Sequence, residues 1–230
     1  MPQLFPLYGG LTGSELAEQR KERARAKREY YKQQFMHPEW LVDIPPDLAA
    51  SWLVMPRPEG DRCLVIAARG KTTARLRNGR VKAVFPSQLP GGCHSKASDG
   101  SEGYSILDCV FSPVTKTYHV MDTLCWNGHA ILDSDTEFRL FWTASKLAEV
   151  PVAAPSKLNR FAFSALPVYQ ADADGIQQSY AAELPFRRDG LLFFNRQASY
   201  TASEFGNPLV MLWKDQHCSR YALESQVRGA

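Results

Sequence analysis
From Trp40 onward the chain is built of short apolar runs with β character, separated by polar and glycine-bearing breaks. That pattern predicts strands at Trp52–Arg57, Arg62–Ala68, Thr72–Arg77, Ser105–Phe111, Tyr118–Leu124, Arg160–Phe163, Asp189–Phe194, Pro208–Trp213 and Cys218–Ala222. The breaks carry Arg57-Pro58-Glu59-Gly60, Asn78-Gly79, Pro90-Gly91-Gly92 and Asn127-Gly128, each suited to a turn. Helical spacing fits Asp135–Leu147 and Gly175–Ala182, and Gly91–Gly103, rich in Gly, Ser and Lys, reads as a flexible loop. There is no internal repeat. The expected architecture over residues 36–230 is one α+β domain with mixed, mostly antiparallel sheets.

The first 35 residues follow another pattern. Pro2 to Gly13 reads as a mobile leader; Ser14 then offers an N-cap oxygen, with Glu15 in the first turn of a helix running to about Phe35. Leu16, Ala24, Ala26 and Tyr30 form no wide apolar face, so this helix is either a solvated lead-in or a partner-binding arm.

Charge sharpens that division. Ser14–Phe35 holds seven Lys/Arg against four Glu, which accounts for the whole net charge of +3; the remaining 20 basic and 20 acidic groups cancel. An anionic ligand on the body must therefore be held by a few placed residues rather than by a broad basic field. With 44% apolar and 11% aromatic residues the chain can bury a sizeable core. No run approaches the roughly 18 apolar residues of a membrane span, and the start lacks the pattern of a signal peptide. The five cysteines are scattered without a CxxC pair, which argues against a zinc site or a disulfide framework and for a reducing compartment. The histidines show no metal spacing, and the expectation is a soluble intracellular protein without cofactor or metal.

Five segments fall in a meaningful order: Arg57-Pro58-Glu59-Gly60-Asp61-Arg62, Ile106-Leu107-Asp108-Cys109, Tyr118-His119-Val120-Met121-Asp122, Asp189-Gly190-Leu191-Leu192-Phe193 and Leu212-Trp213-Lys214. They resemble the successive motifs of the covalent nucleotidyltransferases (mRNA capping enzymes and nucleic-acid ligases), from KxDGxR to the closing KWK. The resemblance implies the capping-enzyme-like nucleotidyltransferase fold, preceded here by the basic helix. The chemistry does not follow, because those enzymes attack a nucleotide α-phosphate with the lysine that opens KxDG. Arg57 stands there, and a guanidinium that stays protonated is no nucleophile. Cys109-Val110 also replaces the carboxylate expected after Leu107-Asp108, and Glu59 stands where Asp is usual.

A longer string is more specific. It comprises Pro38-Glu39-Trp40-Leu41-Val42-Asp43-Ile44-Pro45, Phe85-Pro86-Ser87-Gln88-Leu89-Pro90-Gly91-Gly92, Tyr104-Ser105-Ile106-Leu107-Asp108-Cys109, Cys125-Trp126-Asn127-Gly128 and Glu137-Phe138-Arg139-Leu140-Phe141-Trp142. Together with Asp189-Gly190-Leu191-Leu192-Phe193 it resembles the snurportin family across Pro38 to Trp213. The resemblance implies non-catalytic binding of the trimethylguanosine cap of spliceosomal small nuclear RNA, by an adaptor for nuclear import of the snRNP that shuttles between cytoplasm and nucleus. The implied partners are the capped RNA, an importin-β-type receptor and an exportin, with no membrane. The competing reading is an active GTP- or ATP-dependent nucleotidyltransferase.

The resemblance sets Trp40 beside the methylated base, Arg77 near the cap phosphates, Arg62 before the second strand, and His37 and Pro38 at the pocket wall. The base-stacking tryptophan maps to Trp213 if a one-residue gap is allowed and to Leu212 if not, and period-two alternation points Trp213 to the opposite face. A receptor-binding arm would use Arg20, Lys21, Arg23, Arg25, Lys27 and Arg28. Residue types suit the ligand: indole against a cationic methylated guanine combines stacking of roughly 1–3 kcal/mol with a cation–π term of about 2, and each amine methyl adds roughly 0.8 kcal/mol of apolar burial. Without the resemblance Trp40 reads equally as packing, Arg75, Arg77 and Arg80 as solvated charges about a hairpin tip, and Trp52, Trp126 and Trp142 as core.

Overall fold
A computed structural model describes residues 13–93, 103–203 and 205–219 of the chain. Two sheets carry the fold. The five-stranded sheet runs β1 (His37–Trp40), β12 (Gly206–Trp213), β11 (Arg188–Asn195), β2 (Trp52–Pro58) and β10 (Tyr169–Gln170). The seven-stranded sheet runs β5 (Val81–Phe85), β4 (Lys71–Leu76), β3 (Asp61–Ala68), β6 (Ser105–Ser112), β7 (Thr117–Trp126) and β8 (His129–Ala130), with β9 (Ala162–Ala165) beside β7. All pairings are antiparallel except β1 with β12 and β7 with β9. The helices are α1 (Gly13–Lys32), the single-turn α2 (Leu48–Ser51), α3 (Thr136–Glu149) and α4 (Ala173–Ala181).

Period-two alternation sorts the core into layers. Leu53, Met55, Leu64, Val110, Leu192, Phe194, Val210 and Leu212 fill the space between the sheets. The intervening residues Trp52, Val54, Leu191, Phe193 and Met211 pack on the outer face of the five-stranded sheet, with Ile176 and Tyr180 of α4. On the far side of the seven-stranded sheet, Cys63, Val65, Leu107, Cys109 and Phe111 join an aromatic group of Phe85, Tyr118 and Phe163. Asp135 caps α3, its carboxylate accepting from the Phe138 N–H at 2.7 Å, and Asp172 caps α4 in the same way toward Gly175 at 2.8 Å.

The mixed, mostly antiparallel α+β reading holds, with local corrections. The first helix ends at Lys32 because Phe35 and Met36 are drawn into the inter-sheet core, where both are buried. Packing of the domain thus begins inside the segment assigned to the lead-in, with Tyr31 already against that core. His37–Trp40 and Val81–Phe85, not predicted as strands, are edge strands held by their neighbours. The strand expected at Arg160–Phe163 lies two residues later, and Cys218 sits in a bend rather than a strand. Trp52 and Trp126 are buried as expected, whereas Trp142 is half-exposed on α3 under Lys146. The leader up to residue 12, most of the Gly91–Gly103 loop (94–102) and residues 220–222 lie outside the described residues. No described helix is long and apolar enough to cross a membrane.

Candidate functional site
The two sheets face each other across a cleft that encloses a cavity of about 40 Å³. Its apolar walls include Leu192 and Phe194 of β11, Val210 and Leu212 of β12, and Met36; its polar lining is Arg57, Arg62, Arg77, Asp108, Asp122 and Tyr200. In a neutral apolar space each of those charges needs a partner. Arg62 forks onto Asp108, Nε donating to Oδ1 at 3.0 Å and Nη2 to Oδ2 at 2.5 Å, and also donates to the Met36 carbonyl at 2.7 Å. The pair is possible because Arg62 on β3 and Asp108 on β6 are diagonal neighbours on one face, Arg62 standing opposite Val110 and Leu64 opposite Asp108. Tyr200 donates its hydroxyl to Asp108 at 2.8 Å and accepts from the Met36 N–H at 3.2 Å, tying the end of the α1–β1 link to the same carboxylate. Burial alone would depress the Arg62 guanidinium, but Asp108 more than offsets that and holds it above its usual value.

A second pair closes the other side. Arg57 donates to Asp189, which also accepts from Lys214 Nζ at 3.0 Å and from the Ser219 N–H at 2.7 Å. Asp189 reaches this position through a break in the β11–β2 register between Arg188 and Leu191. Gly190 takes φ +108°, and a Cβ there would lie 2.4 Å from the Trp213 carbonyl oxygen, so glycine is required. Burial, and Arg62 nearby, lower the Arg57 pKa against the pull of Asp189; as an arginine it stays charged. The third pair, Asp122 with the fully buried Arg139, is bidentate at 3.0 and 2.9 Å; burial raises the Asp122 pKa against the charge of Arg139.

Of the predicted residues, Pro38, Arg62 and Arg77 line the cleft. Trp40 sits in register with Leu212 and packs, half-buried, against the same inter-sheet core. His37 is half-buried at the start of β1, opposite Gly206, and does not line the cleft. Trp213 is not in this site. It points to the other face of the sheet, where it lines an outer groove of about 510 Å³ with Leu41, Ile44, Leu48, Ile176 and Tyr180. Leu212 takes the cleft-facing position, as ungapped alternation requires. Along α1, Arg20, Lys21, Arg23, Arg25, Lys27 and Arg28 are all exposed.

The cleft also uses residues that were not singled out as ligands. Arg57, Asp108 and Asp189 stand inside recognisable motifs, so their presence was legible and their pairing was not. Tyr200 carried no signal, since it follows a turn and meets Asp108 only through the tertiary fold. Chemically the site offers cations, hydrogen-bond donors and apolar walls. No lysine lines it among the described residues, and Lys214, behind Asp189, is committed to that carboxylate and to Ser219. Burial pushes the thiols of Cys63, up to about 12, and Cys109 upward, which keeps them protonated. Among the described residues no three His, Cys, Asp or Glu side chains are grouped to hold a metal ion.

Comparison with known proteins agrees with this architecture. The ligase domain of LigD from M. tuberculosis superposes with a TM-score of 0.51 at 15% identity, covering 79% of this chain and 60% of that one. Pmar-Lig_Pre gives 0.52 at 12% identity, over 90% of this chain and 51% of that one. The chain therefore spans only half to three-fifths of these ligase-fold proteins, and at such identity the likeness concerns the fold alone. The family model of the Snurportin1 m3G cap-binding domain matches residues 34–214, which takes in both sheets and every residue of the cleft described above. With its ligase-like sheets and arginine-lined cleft, the chain belongs to the Snurportin1 m3G cap-binding domain family.

Proposed function
We propose that the inter-sheet cleft binds the trimethylguanosine cap of small nuclear RNA without catalysis, and that the protein serves as adaptor for nuclear import of the capped particle. One observation carries the reading: in a chain of the cap-binding family, Pro38, Arg62 and Arg77 converge on one cleft whose nucleophile position holds Arg57, bound to Asp189. The methylated base lies against Trp40 and the apolar walls, while Arg62 and Arg77 face the triphosphate bridge. At about 40 Å³ the centre has room for a few water molecules. A purine therefore enters only as Leu212, Met36 and the walls beside them give way. Among the described residues the cleft's carboxylates, Asp108 and Asp122, are already paired with Arg62 and Arg139, which suits a ligand whose amine carries methyls instead of hydrogens.

The exposed cations of α1 from Arg20 to Arg25 suit an acidic import receptor of the importin-β type, and the protein shuttles between cytoplasm and nucleus with an exportin for return. Fluorescence titration with trimethyl, monomethyl and unmethylated dinucleotide caps tests the cap reading. Quenching by the trimethyl cap that is lost in Trp40→Ala and kept in Trp213→Ala is expected; equal or absent response to all three caps refutes it. A covalent adduct with labelled GTP or ATP in the presence of a divalent metal would make the protein an enzyme instead. Deleting residues 14–25 abolishes receptor capture if the adaptor reading is right.

A further inference from the structure
The last turns of α1 do not stand clear of the domain. Gly79, at the tip of the β4–β5 turn with φ +74°, lies so close to the helix that a Cβ there would be 1.9 Å from the Arg28 carbonyl oxygen. Arg75 clamps the joint: its guanidinium stacks 4.2 Å from the centre of the Tyr31 ring and donates to the Gly79 carbonyl at 2.9 Å. The contact creates a groove of about 250 Å³ whose charged lining residues are Lys27, Arg28, Arg75 and Arg80, four cations and no anion. Lys27, Arg28 and Arg80 are exposed, whereas Arg75 is 8% exposed at the floor, its buried Nε without a hydrogen-bond partner among the described residues. Arg77, two residues beyond Arg75 where β4 gives way to the turn, lines the cleft.

We infer that this groove takes the phosphodiester backbone of the nucleotides that follow the cap. The inference rests on the cap reading of the cleft, since it is Arg77 at the phosphate end that makes the groove a continuation of the site. The body of the chain is electrically neutral, so its basic groups are effective only where the fold gathers them, and here Arg75 and Arg80 of the body join Lys27 and Arg28 of α1. Each phosphate neutralised releases counterions, and for a single strand log K falls with log salt by about 0.7 per contact. Sequence preference is not expected, because cations that meet phosphates position a strand without reading bases.

The test compares a trimethylguanosine cap dinucleotide with a capped decanucleotide, at two salt concentrations. The proteins are the wild type, the groove variant Lys27→Gln/Arg28→Gln/Arg80→Gln, and a control Arg20→Gln/Lys21→Gln/Arg23→Gln that loses equal charge elsewhere on α1. Wild type should bind the capped decanucleotide about tenfold more tightly than the dinucleotide at low salt. The groove variant should lose most of that gain and about 2 from the salt slope, with dinucleotide affinity unchanged and the control like wild type. A gain retained in the groove variant, or lost equally in the control, overturns the inference while leaving cap binding intact. If no protein binds the dinucleotide, the cap reading has failed; an uncapped decanucleotide then decides the groove, weakened binding in the groove variant alone supporting a phosphate track and unchanged binding refuting it.

Discussion

On one face of the five-stranded sheet, Leu192, Phe194, Val210 and Leu212 look into a cleft edged by arginine–aspartate pairs. On the other, Trp52, Val54, Leu191, Phe193 and Trp213 make an apolar surface packed in part by α4. The same strands build both, residue by residue in alternation, so the faces differ only by parity. What separates them chemically is the opposing layer. Across the cleft stands a second sheet whose Arg62, Asp108 and Asp122 line the same cavity as Arg57, with Tyr200 bonded to Asp108. Across the outer face stands a short helix with a tyrosine and an isoleucine. A one-residue shift in β12 would exchange Leu212 and Trp213, and with them the face on which an indole is offered to a ligand.

The strongest way to break the contrast is to remove a charge from the cleft side. Arg139→Ala leaves Asp122 buried without its bidentate partner and should cost about 3–5 kcal/mol, read as a lowered urea midpoint; Trp213→Ala, on the half-buried outer face, should cost less. Acid probes the interior next. Burial lowers the pKa of His119 to about 4, with the Phe186 ring 4.5 Å away and no hydrogen-bond partner for Nε2 among the described residues. Unfolding returns it to near 6.5, so the folded state is the weaker proton binder; stability present above that value is lost as pH falls toward 4, by about 3 kcal/mol. Denaturation at pH 7 and pH 4.5 should show the loss, and His119→Gln should flatten it.

Ligand binding sharpens the comparison at smaller energies. Trp40→Ala should weaken the trimethyl cap by roughly 1–3 kcal/mol in a fluorescence titration, and Trp213→Ala by less than about 0.5. Leu212→Trp adds an indole on the cleft face; it should cost about 1–3 kcal/mol of stability through overpacking and weaken cap binding by filling the space the base must open. A last test concerns neither face: Asp135→Ala removes the α3 cap and should lower stability by about 1 kcal/mol, leaving cap affinity as it was.

How far this was legible can be read from particular residues. The central strands β2, β3, β6, β7, β11 and β12 announced themselves because each is flanked by turn residues and buries at least one apolar face. The edge strand β1 did not, since His37-Pro38-Glu39-Trp40 carries no apolar run and pairs in parallel with a strand more than 160 residues away. Arg57 was legible as an arginine where the resemblance to the nucleotidyltransferase motif expects a lysine. That Asp189 and Lys214 would meet it there was not, because the contact depends on the register break at Gly190.

By itself the sequence determined the strand-rich domain, the neutral body beside a cationic helix, the arginine at position 57 and the parity that assigns Leu212 and Trp213 to opposite faces. These are local properties, set by side-chain type and a period of two. Only the tertiary structure decided which parity faces the cleft, which carboxylate each arginine finds, and that the end of α1 rests on the β4–β5 turn. Those outcomes depend on long-range pairing between strands and on the desolvation that makes buried charges seek one another, and neither is written in any short stretch of chain.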